Sequence, residues 1–81
     1  MITTTTDAPP VVRGFALHPV SARRWRVLDR SGRVVGHVRA EPTPDGTRFH
    51  AERFDLAARR MRPHGAFWTA DEAVQCLRYL R

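Results

Sequence analysis

The sequence predicts an α+β fold, a three-stranded antiparallel sheet packed on one C-terminal α-helix, and three observations carry that expectation. Apolar and polar residues alternate through Arg24–Asp29 and again through Arg33–Ala40, on either side of Arg30-Ser31-Gly32. A third alternating run follows from Thr47 to Arg53. Thr69-Ala70-Asp71-Glu72 then opens a segment whose apolar residues recur at helical spacing.

Taken in order, residues 1–10 comprise four threonines ahead of Asp7-Ala8-Pro9-Pro10 and read as a disordered polar tail, because they have little to bury. Residues 11–81 then form one small domain. Val11–His18 is half-apolar and extended in pattern until Pro19 ends it, which makes it either an N-terminal edge strand or a segment laid over the core. In the first clear strand Trp25 and Val27 point inward, with Arg24, Arg26 and Leu28 on the other side. Gly32 supplies the turn, being free to take positive φ. Val34, Gly36, Val38 and Ala40 share one side of the next strand, and Arg33, Val35, His37 and Arg39 the other. Pro42 and Pro44 stop that strand in a longer turn through Gly46. The third strand turns Phe49 and Ala51 inward and Arg48, His50 and Glu52 outward.

Between Phe54 and His64 the spacing of Phe54, Ala57, Ala58 and Met61 predicts one or two helical turns before Pro63. Phe67 should plug the core ahead of the last helix. That helix begins with a capping box, in which the Thr69 hydroxyl accepts from the Glu72 amide and the Glu72 carboxylate from the Thr69 amide. Asp71 and Glu72 sit at its positive end, and Arg78 and Arg81 near its negative end. Its stripe of Ala70, Ala73, Val74, Leu77 and Leu80 should cover the sheet.

Fourteen basic residues against eight acidic leave a net charge of +6. All fourteen are arginine; lysine and asparagine are absent. Codon bias in a high-GC genome explains arginine in place of lysine, but not the excess of base over acid. That excess implies a polyanionic partner, nucleic acid first. No apolar run approaches the ~20 residues of a membrane span, and MITTTTDAPP lacks a basic start followed by an apolar stretch. The lone Cys76 excludes an internal disulfide, so a reducing cytoplasm is the expected location.

The alternation collects Arg24, Arg26, Arg33, His37, Arg39, Arg48 and His50 on the sheet face opposite the core. An antiparallel ribbon fits the DNA major groove, where arginine bonds guanine edges and phosphates. The same pattern also suits an arginine-rich face that simply meets water. Arg53, Arg59, Arg60, Arg62 and His64 form a second basic cluster, either a grip on the backbone beside the groove or the wet side of the short helix. Trp68 faces away from Phe67 and reads as a lid, with base stacking or a dimer contact as alternatives. His37 and His50 fall on adjacent strands, where a pH-sensitive pair is an option.

No catalytic constellation appears. The four histidines lack metal-ligand spacing with Cys76, and there is neither a Gly-rich phosphate loop nor a nucleophile with a base. Neither metal nor cofactor is expected. The function these residues imply is non-catalytic binding of double-stranded DNA, in an accessory or regulatory role, by Arg24, Arg26, Arg33, His37, Arg39, Arg48, Arg59 and Arg60. The alternative is a protein-interaction module, a homodimer or the binder of an acidic protein, using Trp68, the N-terminal strand or an open sheet edge.

Two stretches carry a resemblance. One is Trp25-x-Val27-x-Asp29-x-x-Gly32 with Gly36-x-Val38, and the other is Gly65-x-Phe67-x-Thr69-x-x-Glu72-Ala73 with Leu77. Together, over roughly residues 24–80, they resemble the arm-type DNA-binding domains at the N-termini of tyrosine recombinases, whose fold plant AP2-type domains share. The resemblance implies three strands backed by a helix, with the exposed sheet face entering the DNA major groove. Residues 54–64 exceed the short link that pattern expects.

Overall fold

The computed structural model describes residues 9–80; the polar-tail reading therefore falls mostly on residues outside those described, as does Arg81. The architecture is α+β, a five-stranded antiparallel meander in the order β1-β2-β3-β4-β5 with one C-terminal helix. The strands are β1 (Ala16–Ser21), β2 (Arg24–Leu28), β3 (Val34–Thr43), β4 (Gly46–Asp55) and β5 (Arg60–Phe67), followed by α1 (Ala70–Tyr79). The three expected strands are β2, β3 and β4, and β1 and β5 extend the sheet on either side.

The register explains why one face is dry. Leu17 lies opposite Val27, Trp25 opposite Val38, Val38 opposite Ala51 and Ala40 opposite Phe49, so the inward residues of successive strands stack in rows. Helix α1 lies over β3, β4 and β5 and sets Ala70, Ala73, Val74 and Leu77 into the core, as its stripe predicts. Trp25 is buried there, and Phe67 packs against the cluster. The capping box of Thr69 and Glu72 is formed as expected.

Four local expectations change. Val11–Phe15 is laid over the core, burying Val12 and turning back through a bond from the Phe15 amide to the Val12 carbonyl (3.1 Å), while the edge strand begins only at Ala16. Pro19 sits inside β1 rather than ending it, because an edge strand tolerates a missing N–H. Pro42 likewise lies within β3. The pairing of β2 with β3 stops at Arg39, with one further bond from the Ala40 amide to the Arg23 carbonyl (2.8 Å), so beyond Ala40 only β4 flanks β3 and the other edge of this ribbon is open. Opposite Val27 and Leu28 of β2 the register shifts and β3 carries one extra residue, Val35, so Val34 pairs with Leu28 and is half exposed while Val35 packs on the core. Arg33 consequently lies in the turn and not on the sheet face.

The fourth change is the largest. Residues 54–64 form no helix; β4 runs to Asp55, residues 56–59 turn, and β5 returns. Phe54 pairs with Met61 and Asp55 with Arg60, so the backbone groups a helix would have used are bonded across strands instead. The Asp55 carboxylate accepts from the Ala58 amide (3.1 Å) and pairs with Arg62, and Arg59 takes φ +54°.

The β2–β3 turn uses the same device. Asp29 Oδ1 accepts from the Ser31 amide (2.9 Å), the Ser31 hydroxyl (2.7 Å) and the Arg33 amide (3.0 Å), while Gly32 takes φ +84°. The Ser31 hydroxyl and then the Arg33 amide hold the Asp29 carboxyl below its ordinary value of 3.8. A depressed folded value means that this turn's contribution is complete above the unfolded pKa and is lost as pH falls through the folded one. Thermal melts should therefore show wild type losing more stability than D29N as pH drops through and below 3.8. Parallel acid profiles would show that the Asp29 charge does not hold the turn.

Candidate nucleic-acid interface

The five sheet-face candidates have unequal surroundings. Glu52 stands at the centre of the outer face, 5% exposed, between β3 and β5. Its two oxygens accept from Arg24 Nε (2.9 Å) and Arg39 Nε (3.1 Å), so two of the five are committed to one buried carboxylate. Arg48 lies with its guanidinium 4.3 Å from the centroid of the Trp68 ring and donates to the Ala66 carbonyl (3.5 Å). Trp68 is 52% exposed on that outer face and covers no core. Arg26 is exposed, between His18 of β1 and His37 of β3.

His37 is buried, and its Nδ1 has no hydrogen-bond partner. Burial lowers its pKa below 6.5, and the nearby charges of Arg26 and Arg24 lower it further against the opposing pull of Glu52. It is therefore a neutral ring and not a cationic contact at neutral pH. The anticipated His37–His50 pair does not form. His37 pairs in register with Glu52, whereas His50 lies opposite Arg39 and donates from Nε2 to Glu41 (2.6 Å). Both Glu41 and Glu52 thus temper the face.

The remaining candidates, Arg33, Arg59 and Arg60, lie at the end of the sheet. In an antiparallel meander the β2–β3 and β4–β5 turns emerge at the same end. One tip carries Arg30 and Arg33, the other Arg59 and Arg60. Arg53 and Arg62, cross-strand partners, lie just behind the second tip. Arg13 and Arg78 line a cleft beside the first tip together with Arg30. Eight arginines therefore gather there against two carboxylates, Asp29 and Asp55, both bonded into their own turns. Asp45 lies at the opposite β3–β4 turn, and Asp71 and Glu72 in the first turn of α1, which follows the far end of β5.

Over extents of 44 × 25 × 22 Å, the charge is thus polarised along the molecule. Sequence reading missed Arg13, Arg30 and Arg78 as members of this group. The Asp-led turn at Asp55 is the signal that finds Arg30, since once β5 is a strand the two arginine-bearing tips must share an end; Arg13 and Arg78 join only through the packing of the segment before β1 and of α1. Arg26, Arg30, Arg33, Arg53, Arg59 and Arg60 form no salt bridge among the described residues, Arg33 standing close enough to Asp29 only to help lower its pKa. Unpaired guanidinium forks at narrow turns are suited to bidentate bonds with phosphate oxygens. Among the described residues no group of His, Cys, Asp and Glu could hold a metal ion, and no helix is long and apolar enough to cross a membrane. Compared with known proteins, the chain matches no family model, no curated protein and no solved structure.

Proposed function

We propose that this chain is a non-catalytic module that binds double-stranded DNA, with the arginine-bearing end of the sheet as its main contact surface. The observation that carries this reading is the convergence of the β2–β3 and β4–β5 tips, which puts Arg30, Arg33, Arg59 and Arg60 together without salt bridges among the described residues. Each tip is a two-stranded ribbon with strands about 4.8 Å apart, narrow enough for a major groove about 12 Å wide. Arg26 extends the positive surface onto the outer face, while Arg24 and Arg39 remain occupied by Glu52. Single-strand binding is less well supported, because the exposed aromatics do not form one platform: Trp68 already carries Arg48, Phe54 lies near the far end of β4, and Tyr79 on α1 carries Arg78.

Fluorescence anisotropy with a labelled duplex of about 20 base pairs, titrated over salt, tests this. Affinity should fall linearly in log salt, and R33Q, R59Q and R60Q should each reduce the slope by about one. An unchanged slope in all three variants would remove the end from the contact. Absence of duplex binding even at low salt would overturn the reading.

A second reading has its own observation. Val34 and Phe54, each 50% exposed, line a small cavity with the buried His37 on the outer side of the sheet. Such an apolar patch suits contact with a protein, a second copy included. Sedimentation across protein concentrations separates the two: a dimer that fails to shift duplex favours the protein interface.

A further inference from the structure

The cleft beside the first tip has a composition that general charge attraction does not explain. It measures about 520 Å³ and is lined by Arg13, Gly14 and Phe15, by Asp29, Arg30 and Ser31, and by Arg78. Its three guanidiniums come from separate parts of the chain: the segment before β1, the β2–β3 turn and the last turn of α1. Like charges brought together by the fold repel one another unless an anion lies among them. Among the described residues Asp29 is the only carboxylate lining the cleft, and its Oδ1 is already engaged by three donors of its own turn. Arg78 also offsets the negative end of α1, which leaves Arg13 and Arg30 as the principal anion ligands. Gly14, at φ +85°, adds no side chain here, and a Cβ built on it would meet Arg30 Nε at 3.9 Å. Phe15 supplies one apolar wall.

We infer that this cleft binds a phosphate monoester attached to a nucleoside, as carried by a free nucleoside monophosphate or by the 5′ end of a DNA strand. A monoester carries nearly two negative charges at neutral pH, against one for each internal phosphodiester, so a cleft lined by three arginines favours it. The cleft volume lies within the range of small-ligand sites, about 300–1,000 Å³, and exceeds what a bare phosphate ion needs. The inference takes the DNA source of the phosphate from the proposed function, but free nucleotide would satisfy the same chemistry.

The experiment compares one duplex with and without 5′-phosphates, and adenosine monophosphate with adenosine as competitors against the labelled chain. The phosphorylated duplex should bind about tenfold tighter, and the monophosphate should compete where adenosine does not. R13Q and R30Q should erase the preference, whereas R60Q should weaken both duplexes alike and leave their ratio unchanged. All three side chains are exposed, and unchanged melting temperatures check that the variants fold. Binding of the monophosphate without binding of either duplex would assign the cleft to free nucleotides and overturn only the DNA reading. Equal affinity for both duplexes, with no competition by the monophosphate, would overturn the cleft and leave DNA binding standing. Failure of every probe would overturn both.

Discussion

Replacing Gly36 with alanine should cost the fold about 2–4 kcal/mol, seen as a lower urea midpoint at unchanged m-value. Gly36 lies in β3 beneath α1, opposite Val27. A Cβ there would stand 2.7 and 2.9 Å from the two Leu77 methyl carbons and 2.9 Å from the Glu52 carbonyl oxygen. Leu77 is buried, and the Glu52 carbonyl belongs to the neighbouring strand, so neither yields without moving the sheet against the helix. The backbone at φ +156° adds a conformation that side chains disfavour. Gly32 is the control, because its φ is also positive but nothing lies within 4 Å of its missing Cβ. G32A should lose only about 1–2 kcal/mol, the strain alone. Equal losses in the two variants would mean that contact with α1 does not decide the effect.

Substituting Glu52 by glutamine should lower stability by about 1–3 kcal/mol, because Arg24 of β2 and its cross-strand partner Arg39 of β3 would then lie side by side without an anion. Removing one member of a fully buried pair costs more, but here the Arg24 and Arg39 side chains are 32% and 36% exposed and water screens them. The loss should shrink in high salt, which screens the repulsion between the two guanidiniums. The salt slope of duplex binding should stay at the wild-type value, since the proposed contact lies at the end of the sheet. A slope that rises by about two in E52Q would mean that the freed Arg24 and Arg39 reach phosphate, and the outer face would replace the end as the contact surface. Denaturant melts and anisotropy on the same preparation read both effects.

The elements with strong local signals were legible in the residues alone. Arg30-Ser31-Gly32 makes a turn in which Gly32 takes positive φ, and Thr69 and Glu72 cap a helix whose stripe then buries. The β4–β5 hairpin was not legible. Ala57, Ala58 and Met61 have helical spacing, and what decided against a helix is that β4 already offered an open edge to pair with. Pro19 and Pro42 misled for a related reason, since each lies where the neighbouring edge is unpaired, which a local pattern does not reveal.

The candidate site divides in the same way. Alternation correctly placed Arg24, Arg26, His37, Arg39 and Arg48 on the outer face, because side-chain direction in a strand is a local property. It said nothing of their partners. That Glu52 holds Arg24 and Arg39, that Arg48 stacks on Trp68, and that His37 is buried and neutral all depend on register between strands.

By itself, then, the sequence determined the class of fold, the buried stripe of α1, the turn at Arg30-Ser31-Gly32 and the excess of arginine, each a consequence of periodicity, capping, turn chemistry or composition. Only the tertiary structure decided where that arginine is unpaired. Antiparallel pairing of β4 with β5 brings residues far apart in the chain to one end of the sheet, and charge becomes a site only when such pairing sets like charges together away from their carboxylates.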